Sequence, residues 1–251
     1  MFKKFAGPLL TVLLALGAGL PAAAKEDAMT VLVTGANRGI GLEMARQLRE
    51  QGHTVIGTAR KPGEANELKA LGARVEQLDV ADSASVAALA ERLEGVSIDM
   101  LVNNAGMLGH EADGLANYDI DQLRRTFDVN SLGPLRVTQA LLDNLRAGET
   151  RKVIQISSIM GSIQNNGGGY YGYRSSKAAL NMLNKSLALE LAEDGFTCIA
   201  MHPGWVKTRL GGPGAQISPS DSVAGMLAVI AGLDAADTGR FVDYQGKDIP
   251  W

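Results

Sequence analysis

The chain has 251 residues, of which 46% are hydrophobic and 20% charged, which is enough for one large domain with a substantial core. Its formal charge of −3 gives no bulk electrostatic reason to expect a nucleic-acid partner. The single cysteine, Cys198, excludes an internal disulfide, and its place in the apolar run 196–201 indicates a core residue. Because the three histidines are dispersed and form no metal-ligand pattern with this cysteine, no metal is expected.

The N-terminal residues 1–24 have the pattern of a secretory signal peptide. Two lysines precede the apolar run 6–20, and small residues suit cleavage after Ala24. The run is shorter than the roughly 20 residues that a membrane-spanning helix needs. We therefore predict a periplasmic or secreted mature chain, 25–251, without a membrane association. The alternatives are an uncleaved membrane anchor and a cytoplasmic protein.

Short, continuously apolar segments recur along the mature chain, with helical stretches between the first six of them. These predicted strands are 31–34, 54–58, 74–78, 98–102, 153–156, 196–202 and 240–242. Continuous apolar character is typical of strands buried on both faces. We predict an α/β protein, a single Rossmann-type doubly wound domain whose seven-stranded, mainly parallel sheet carries helices on both faces.

Three of the helical predictions are specific. The first helix covers 39–51, and a longer helical region around 123–145 contains Gly133-Pro134, where the proline is expected to kink it. Farther along, Leu180, Leu183, Leu187 and Leu191 are spaced to form one buried stripe. The glycine- and proline-rich segment 211–220 is proposed as a substrate lid, with an ordinary flexible connection as the alternative.

A glycine-lined turn follows the first predicted strand. Gly35, Gly39 and Gly41 form the pattern G-x-x-x-G-x-G between a strand and a helix. Such a turn lets a dinucleotide pyrophosphate approach the N–H groups at the start of the helix. The alternative is a turn with no ligand.

The end of the second predicted strand indicates which dinucleotide binds. An acidic residue there would accept hydrogen bonds from a ribose 2′-hydroxyl, but this chain has Thr58-Ala59-Arg60. Arg60 and Arg38 could instead surround a 2′-phosphate with charge-assisted contacts. We therefore favour NADP(H) over NAD(H); the alternative is that Arg60 is a solvated loop residue.

Tyr173 and Lys177 are four residues apart, so a helix places them on one face. A phenol with a pKa of about 10 is a poor acid or base at neutral pH, but a nearby ammonium lowers that pKa. We expect Lys177 to act in this way on Tyr173. Ser158, at the end of the fifth predicted strand, could donate a hydrogen bond to a substrate oxygen; the alternative is a strand-end cap.

Further motifs stand in order along the chain. They are Asp79-Val80, Asn103-Asn104-Ala105-Gly106, Asn130, Ser158 and the segment 203–208. With the glycine turn and the Tyr-Lys pair, they make the mature chain resemble the short-chain dehydrogenase/reductase family. The segments 34–41, 169–181 and 243–251 resemble its carbonyl-reductase branch, which includes sniffer and C-factor-like proteins. The 15 positions from Ser158 to Tyr173 slightly exceed the usual spacing, and the glycines 167–169 could absorb the excess.

The resemblance implies a catalytic role for four residues. Tyr173 would protonate a carbonyl oxygen, Lys177 would lower its pKa and hold the nicotinamide ribose, and Ser158 would orient the carbonyl. Asn130 would help to organise a water-linked proton path. The cofactor-binding residues that the turn and the resemblance imply are Gly35, Asn37, Arg38, Gly39, Ile40, Gly41, Arg60, Asp79, Val80, Asn103, Ala105, Gly106, Tyr173, Lys177, Val206 and Thr208.

The sequence therefore predicts an NADPH-dependent oxidoreductase that reduces an aldehyde or ketone by hydride transfer, with a tyrosine as general acid/base. The alternative is a dinucleotide-binding signalling or interaction protein with little catalysis. The resemblance further implies a homodimer or homotetramer. The specific carbonyl substrate is not encoded in any motif, because its pocket would be assembled from loops.

Overall fold

The computed structural model describes Met1, Lys3 and residues 28–109 and 114–251. The predicted signal peptide lies, apart from Met1 and Lys3, outside the described residues and stays a prediction. None of the described helices is long and apolar enough to cross a membrane.

Seven strands form one sheet, and all six neighbouring pairs are parallel. The strands are β1 (Thr30–Val33), β2 (Thr54–Ala59), β3 (Arg74–Gln77), β4 (Met100–Asn103), β5 (Lys152–Ile156), β6 (Thr197–His202) and β7 (Phe241–Asp243). Their order across the sheet is β3-β2-β1-β4-β5-β6-β7. The predicted doubly wound fold is confirmed, with a sheet that is parallel throughout the described residues.

Helices cover both faces of the sheet. They are α1 (Gly39–Glu50), α2 (Asn66–Ala70), α3 (Ser83–Arg92), α4 (Ile120–Phe127), α5 (Gly133–Ala140), α6 (Leu142–Arg146), α7 (Tyr171–Glu190) and α8 (Pro219–Ala231). Side chains alternate along β1, so that Val31 and Val33 join one core with α1, α2 and α8. Leu32 joins the other core, with α3, α5 and α7.

The strand order reverses between β1 and β4, because β2 lies on the outer side of one and β5 on the outer side of the other. In an open parallel sheet, ligands bind outside the carboxyl ends of the strands at such a reversal. The glycine turn follows β1 and Asn103 ends β4, so the fold places both predicted motifs at this crevice.

Helix α8 between β6 and β7 is absent from the predicted elements. Its start nevertheless carries a local signal, since the Ser218 hydroxyl accepts a 3.0 Å hydrogen bond from the N–H of Asp221 and Pro219 occupies the first turn. The predicted lid segment 211–220 therefore runs into a helix. The preceding loop is closed by a parallel bridge between Val206 and Ile217.

The long helical region is interrupted before its proline. Helix α4 ends at Phe127, a π-helical turn covers Asp128–Leu132, and α5 begins at Gly133. Pro134 has no N–H, so the carbonyl of Asn130 lacks the donor that a regular α-helix would provide four residues later. The proline thus disturbs the turn that carries Asn130.

The leucine stripe on α7 is only partly buried. Leu180 and Leu191 are buried, whereas Leu183 and Leu187 are half-buried. Tyr173, Lys177 and two asparagines share the buried face instead. The leucine spacing correctly predicted that one face of α7 is buried, but the centre of that face lies on these polar residues and not on the leucines.

Candidate active site

The glycine turn is shaped for close approach of another group. Gly35 and Gly39 have φ of +64° and +55°, in the left-handed region that favours glycine. A Cβ on Gly41 would lie 2.5 Å from Asn104 Nδ2 and 2.6 Å from the Gly35 oxygen. Helix α1 begins without a side-chain cap at Arg38 and without an acidic residue in its first turn. Its first N–H groups therefore suit an anion.

The loop after β4 fastens this turn. The Thr34 hydroxyl accepts 3.0 Å hydrogen bonds from the N–H groups of Asn104 and Ala105, and Asn104 Nδ2 donates to the carbonyls of Thr34 and Gly35 at 2.9 and 3.1 Å. Ala105 packs so closely that a Cβ on Gly35 would lie 3.1 Å from its Cα. Buried Asn103 donates to Thr138 Oγ1 at 3.1 Å. The glycine turn and the loop after β4 are therefore held together on one side of the crevice.

Two arginines predicted to bind a phosphate lie near the crevice. Arg38 directly precedes α1 and Arg60 directly follows β2; both are exposed, and neither forms an ion pair with any residue in the described part of the chain. Their guanidinium groups are thus available to a phosphate. Across the same edge, Asp79 is partly buried and Val80 is buried against Gly133.

Tyr173 and Lys177 are both buried near the start of α7. The ammonium of Lys177 donates a 2.7 Å hydrogen bond to the carbonyl of Ile156 and lies 5.9 Å from the centroid of the Tyr173 ring. Burial lowers the pKa of Lys177 to about 8. A Cβ on Gly161 would lie 2.8 Å from the Lys177 carbonyl carbon, so this glycine lets the turn after β5 pack against the helix.

The pKa of Tyr173 is raised, because burial disfavours the phenolate more than the hydrogen bond with Ser158 favours it. The net shift is opposite to the lowering expected from Lys177, because burial has the larger effect on this phenol. The phenol stays protonated at neutral pH, which is the state that a proton donor needs.

Ser158 caps the turn after β5, which is the alternative role predicted for it, and it also contacts Tyr173. It is buried, its hydroxyl accepts a 3.1 Å hydrogen bond from the N–H of Met160, and the same side chain hydrogen-bonds Tyr173. The cap holds the hydroxyl in place at the end of β5. The long segment between Ser158 and Tyr173 therefore does not separate the two side chains.

Asn130 is completely buried and locked into place. Its Oδ1 accepts a 2.9 Å hydrogen bond from the N–H of Met107, while its Nδ2 donates to the Met107 carbonyl at 2.8 Å and to Ser176 Oγ at 3.0 Å. A Cβ on Gly106 would lie 3.3 Å from Asn130 Oδ1 and 3.8 Å from Lys177 Nζ. All four predicted catalytic residues thus meet within one buried cluster.

The loop after β6 closes the crevice. Thr208 Cγ2 lies 3.4 Å from the position of a Cβ on Gly39, which places Thr208 beside the glycine turn. Val206 is buried, and its carbonyl accepts a 2.8 Å hydrogen bond from the Thr208 N–H. Asn37 and Ile40, in the turn itself, are partly buried.

Sequence reasoning missed three residues that hold this site together. Asn104 fastens the glycine turn, Ser176 supports Asn130, and Trp205 donates its indole N–H to the Gly211 carbonyl at 2.7 Å. Asn104 lies inside a quoted motif, so its amide was a visible candidate. Ser176 and Trp205 act through contacts that no local spacing reveals.

A dinucleotide fits these residues. The uncapped start of α1 suits a pyrophosphate, and Arg38 and Arg60, which form no ion pair among the described residues, suit a further phosphate. The buried Lys177 lies beside the loop after β4, since its Nζ is 3.8 Å from the position of a Cβ on Gly106. The arrangement is that of a nucleotide-dependent hydride and proton transfer site.

Comparison with known proteins agrees with this geometry. The family model described as short chain dehydrogenase matches residues 29–216. C-signal of Myxococcus xanthus is 50% identical over 155 residues, which cover 61% of this chain and 93% of that protein.

Two solved structures share the fold over 89% of this chain. NADPH-bound carbonyl reductase from chicken fatty liver has a TM-score of 0.82 and 36% identity, with 99% of its chain covered. Carbonyl reductase Sniffer of D. melanogaster has a TM-score of 0.85 and 31% identity, with 100% of its chain covered.

The chain therefore belongs to the short-chain dehydrogenase/reductase family of oxidoreductases. Within that family, its similarity is to the branch that contains the sniffer carbonyl reductases and C-signal.

Proposed function

We propose that the protein is an NADPH-dependent reductase of aldehydes or ketones. The observation that carries this proposal is the buried phenol of Tyr173, kept protonated by its raised pKa and hydrogen-bonded to Ser158. NADPH, when bound, supplies the hydride. The protein supplies a proton donor and a hydroxyl that orients the carbonyl.

Tyr173 gives its proton to the carbonyl oxygen of the substrate, which Ser158 holds by a hydrogen bond. The nearby cation of Lys177 stabilises the phenolate that forms, because opposite charges attract strongly in a buried site. In this proposal, Lys177 and the carbonyl of Asn130, to which Pro134 cannot donate, return a proton to Tyr173 through water. These roles follow from the cluster of Asn130, Ser158, Tyr173 and Lys177.

The preference for NADP(H) rests on Arg38 and Arg60. Both guanidinium groups are exposed and without an ion pair among the described residues, and the segment Thr58-Ala59-Arg60 at the end of β2 has no acidic residue to favour a ribose hydroxyl. The chicken liver carbonyl reductase, which shares this fold, is a complex with NADPH. NADPH is therefore the expected reductant, with NADH a poorer one.

The experiment is to incubate the purified mature chain with a panel of aldehydes and ketones, with NADPH and NADH in parallel. Turnover with NADPH that the Tyr173→Phe variant lacks supports the proposal. The absence of turnover above that of the variant, with every panel member, contradicts it.

A second candidate function is favoured by the similarity to C-signal, whose name indicates signalling. On this alternative the chain binds a dinucleotide and acts through contacts with other macromolecules. NADPH binding in a titration, without turnover of any carbonyl, would favour it over the reductase.

We also propose that residues 1–24 are a signal peptide, that the mature protein is exported, and that it forms a homodimer or homotetramer. N-terminal sequencing of protein from fractionated cells tests the first two, with Lys25 expected as the mature start. Light scattering of the purified protein tests the third. Recovery of the protein only in the cytosol, with Met1 retained, would contradict the signal peptide and the export. A monomer at all concentrations would contradict the oligomer.

A further inference from the structure

The exposed segment 163–170 connects the turn after Ser158 with the catalytic helix, and it holds the one Asn-Gly pair of the sequence, Asn166-Gly167. Asn166 Oδ1 accepts a 2.9 Å hydrogen bond from the N–H of Gly168, which folds the side-chain amide back over the backbone. The N–H of Gly167 donates to no group in the described part of the chain. Gly167 also has no side chain to shield its nitrogen.

We propose that Asn166-Gly167 is a site of spontaneous deamidation and isomerisation that alters the substrate side of the active site as the protein ages. The Gly167 nitrogen loses its proton and attacks Asn166 Cγ, forming a C–N bond while ammonia leaves. Water then opens the cyclic imide at either carbonyl, giving aspartate or isoaspartate. The net change is one water consumed and one ammonia released, and no oxidant is needed. Since the attacking nitrogen must be deprotonated, the reaction accelerates as the pH rises.

Two hydrogen bonds hold the backbone on either side of Asn166. On the N-terminal side, the N–H of Gln164 donates to the carbonyl of Trp251 at 3.1 Å. On the C-terminal side, Arg174 Nε donates to the Gly168 carbonyl at 2.9 Å, and Arg174 itself follows catalytic Tyr173. Asn166 lies between these two fixed points. The isoaspartate product adds one carbon to the backbone between them, whereas aspartate leaves the backbone length unchanged.

The residue that joins this segment to α7 has a constrained backbone conformation. Tyr170 caps α7 in the left-handed region, with φ of +49°, and its carbonyl accepts a 2.8 Å hydrogen bond from the N–H of Arg174. A displacement at Asn166 is therefore passed on to the first turn of α7, which carries Tyr173. The glycine turn after β1 belongs to a different part of the site. Carbonyl turnover is expected to fall while NADPH affinity is retained.

The test ages the full-length protein at neutral and at mildly alkaline pH and follows residue 166 by peptide mapping with an isoaspartate-specific assay. Gly167→Ala is the matched control, because its added methyl hinders attack at the nitrogen. The structure accommodates it, since φ is not in the left-handed region and the nearest heavy atom, Arg174 Nη2, lies 3.8 Å away. Freshly prepared Asn166→Asp supplies the new charge without the longer backbone.

We expect isoaspartate to accumulate at position 166 faster at alkaline pH, and kcat/KM for the carbonyl to fall in proportion to its fraction. Aged Gly167→Ala and fresh Asn166→Asp should keep their activity, and the Kd for NADPH should not change in any sample. A synthetic peptide of the same sequence is aged in parallel. If the peptide deamidates while the Asn166 amide of the protein stays intact, the proposed site is overturned. Full activity at high isoaspartate content would overturn its effect.

The activity measurement rests on the proposed reductase function, but the peptide map does not. A fresh protein without carbonyl turnover would contradict the reductase proposal, while the map would still decide whether Asn166 is modified.

Discussion

The ammonium of Lys177 donates a 2.7 Å hydrogen bond to the backbone carbonyl of Ile156, so the end of β5 holds the cation beside the phenol of Tyr173. This contact joins the helix that carries Tyr173 and Lys177 to the strand that leads to Ser158. It gives the cation a fixed position, so its effect on the developing phenolate does not depend on a mobile side chain.

Replacement of Tyr173 by Phe should abolish the proposed proton donor while leaving the ring in its buried place. We expect kcat to fall by about 10²- to 10⁴-fold, the range typical of general acid catalysis. The Kd for NADPH, measured by fluorescence titration, should change little. An unchanged kcat would show that another group protonates the substrate.

The buried Lys177 should make the stability of the protein rise with pH. Its pKa is lowered from 10.5 to about 8, so between these values the unfolded chain binds more protons than the native chain. The free energy of unfolding should therefore increase above pH 8, by up to about 3 kcal/mol for this group alone. The raised pKa of Tyr173 acts in the opposite direction at higher pH, so the measurement belongs below pH 10.

Urea unfolding of the wild type and of Lys177→Met, at several values of pH from 7 to 10, isolates this contribution. The variant has no buried ammonium, so its curve should lack the rise. A parallel pH dependence in the two proteins would contradict the lowered pKa.

Removal of Arg60 should weaken NADPH binding specifically. A hydrogen bond to a charged group contributes about 1.5 kcal/mol or more, so Arg60→Ala should raise the Kd for NADPH about 10-fold or more. The Kd for NADH should hardly move, because it lacks the 2′-phosphate. Lys61→Ala is the matched control, since this neighbouring lysine is exposed and paired with Glu64 at 3.0 Å. Equal losses for the two cofactors would exclude a role in phosphate recognition.

Gly41→Ala should damage the nucleotide turn through steric overlap. The new Cβ would stand 2.5 Å from Asn104 Nδ2 and 2.6 Å from the Gly35 oxygen, and overpacking of this kind costs about 1–3 kcal/mol. We expect a lower Tm and weaker NADPH binding. Gly63→Ala, which has no heavy atom within 4 Å of its Cβ position, should change neither. If Gly41→Ala binds NADPH as tightly as the wild type does, the turn accommodates the added methyl group and the prediction is wrong.

Trp205 should control the loop that carries Val206 and Thr208. Its indole N–H donates to the Gly211 carbonyl at 2.7 Å, and its ring packs against Gly214. Trp205→Phe retains a ring but loses a hydrogen bond of about 0.5–1.5 kcal/mol, so the Kd for NADPH should rise about 2- to 10-fold. Trp251→Phe, at a tryptophan that packs on Phe241, serves as the control. If Trp205→Phe and Trp251→Phe bind NADPH equally well, the hydrogen bond from Trp205 to Gly211 does not contribute to cofactor binding.

Local sequence signals determined the strands and the candidate chemistry of this protein, although they left helix α8 out. Apolar runs gave seven strands within a few residues of their ends, the three glycines gave the strand-to-helix turn, and helical spacing put Tyr173 and Lys177 on one face. These features depend on nearest neighbours along the chain, which the sequence shows directly.

Only the tertiary structure decided how these parts meet. Burial reversed the expected pKa shift of Tyr173, the order of β1 and β4 brought Ala105 against Gly35, and buried Asn130 found its partners in Met107 and Ser176. Desolvation, packing and hydrogen bonding across the sheet join residues that are far apart in sequence, and no local spacing records them. The sequence by itself thus indicates the candidate catalytic groups, while the fold sets their charge states and contacts.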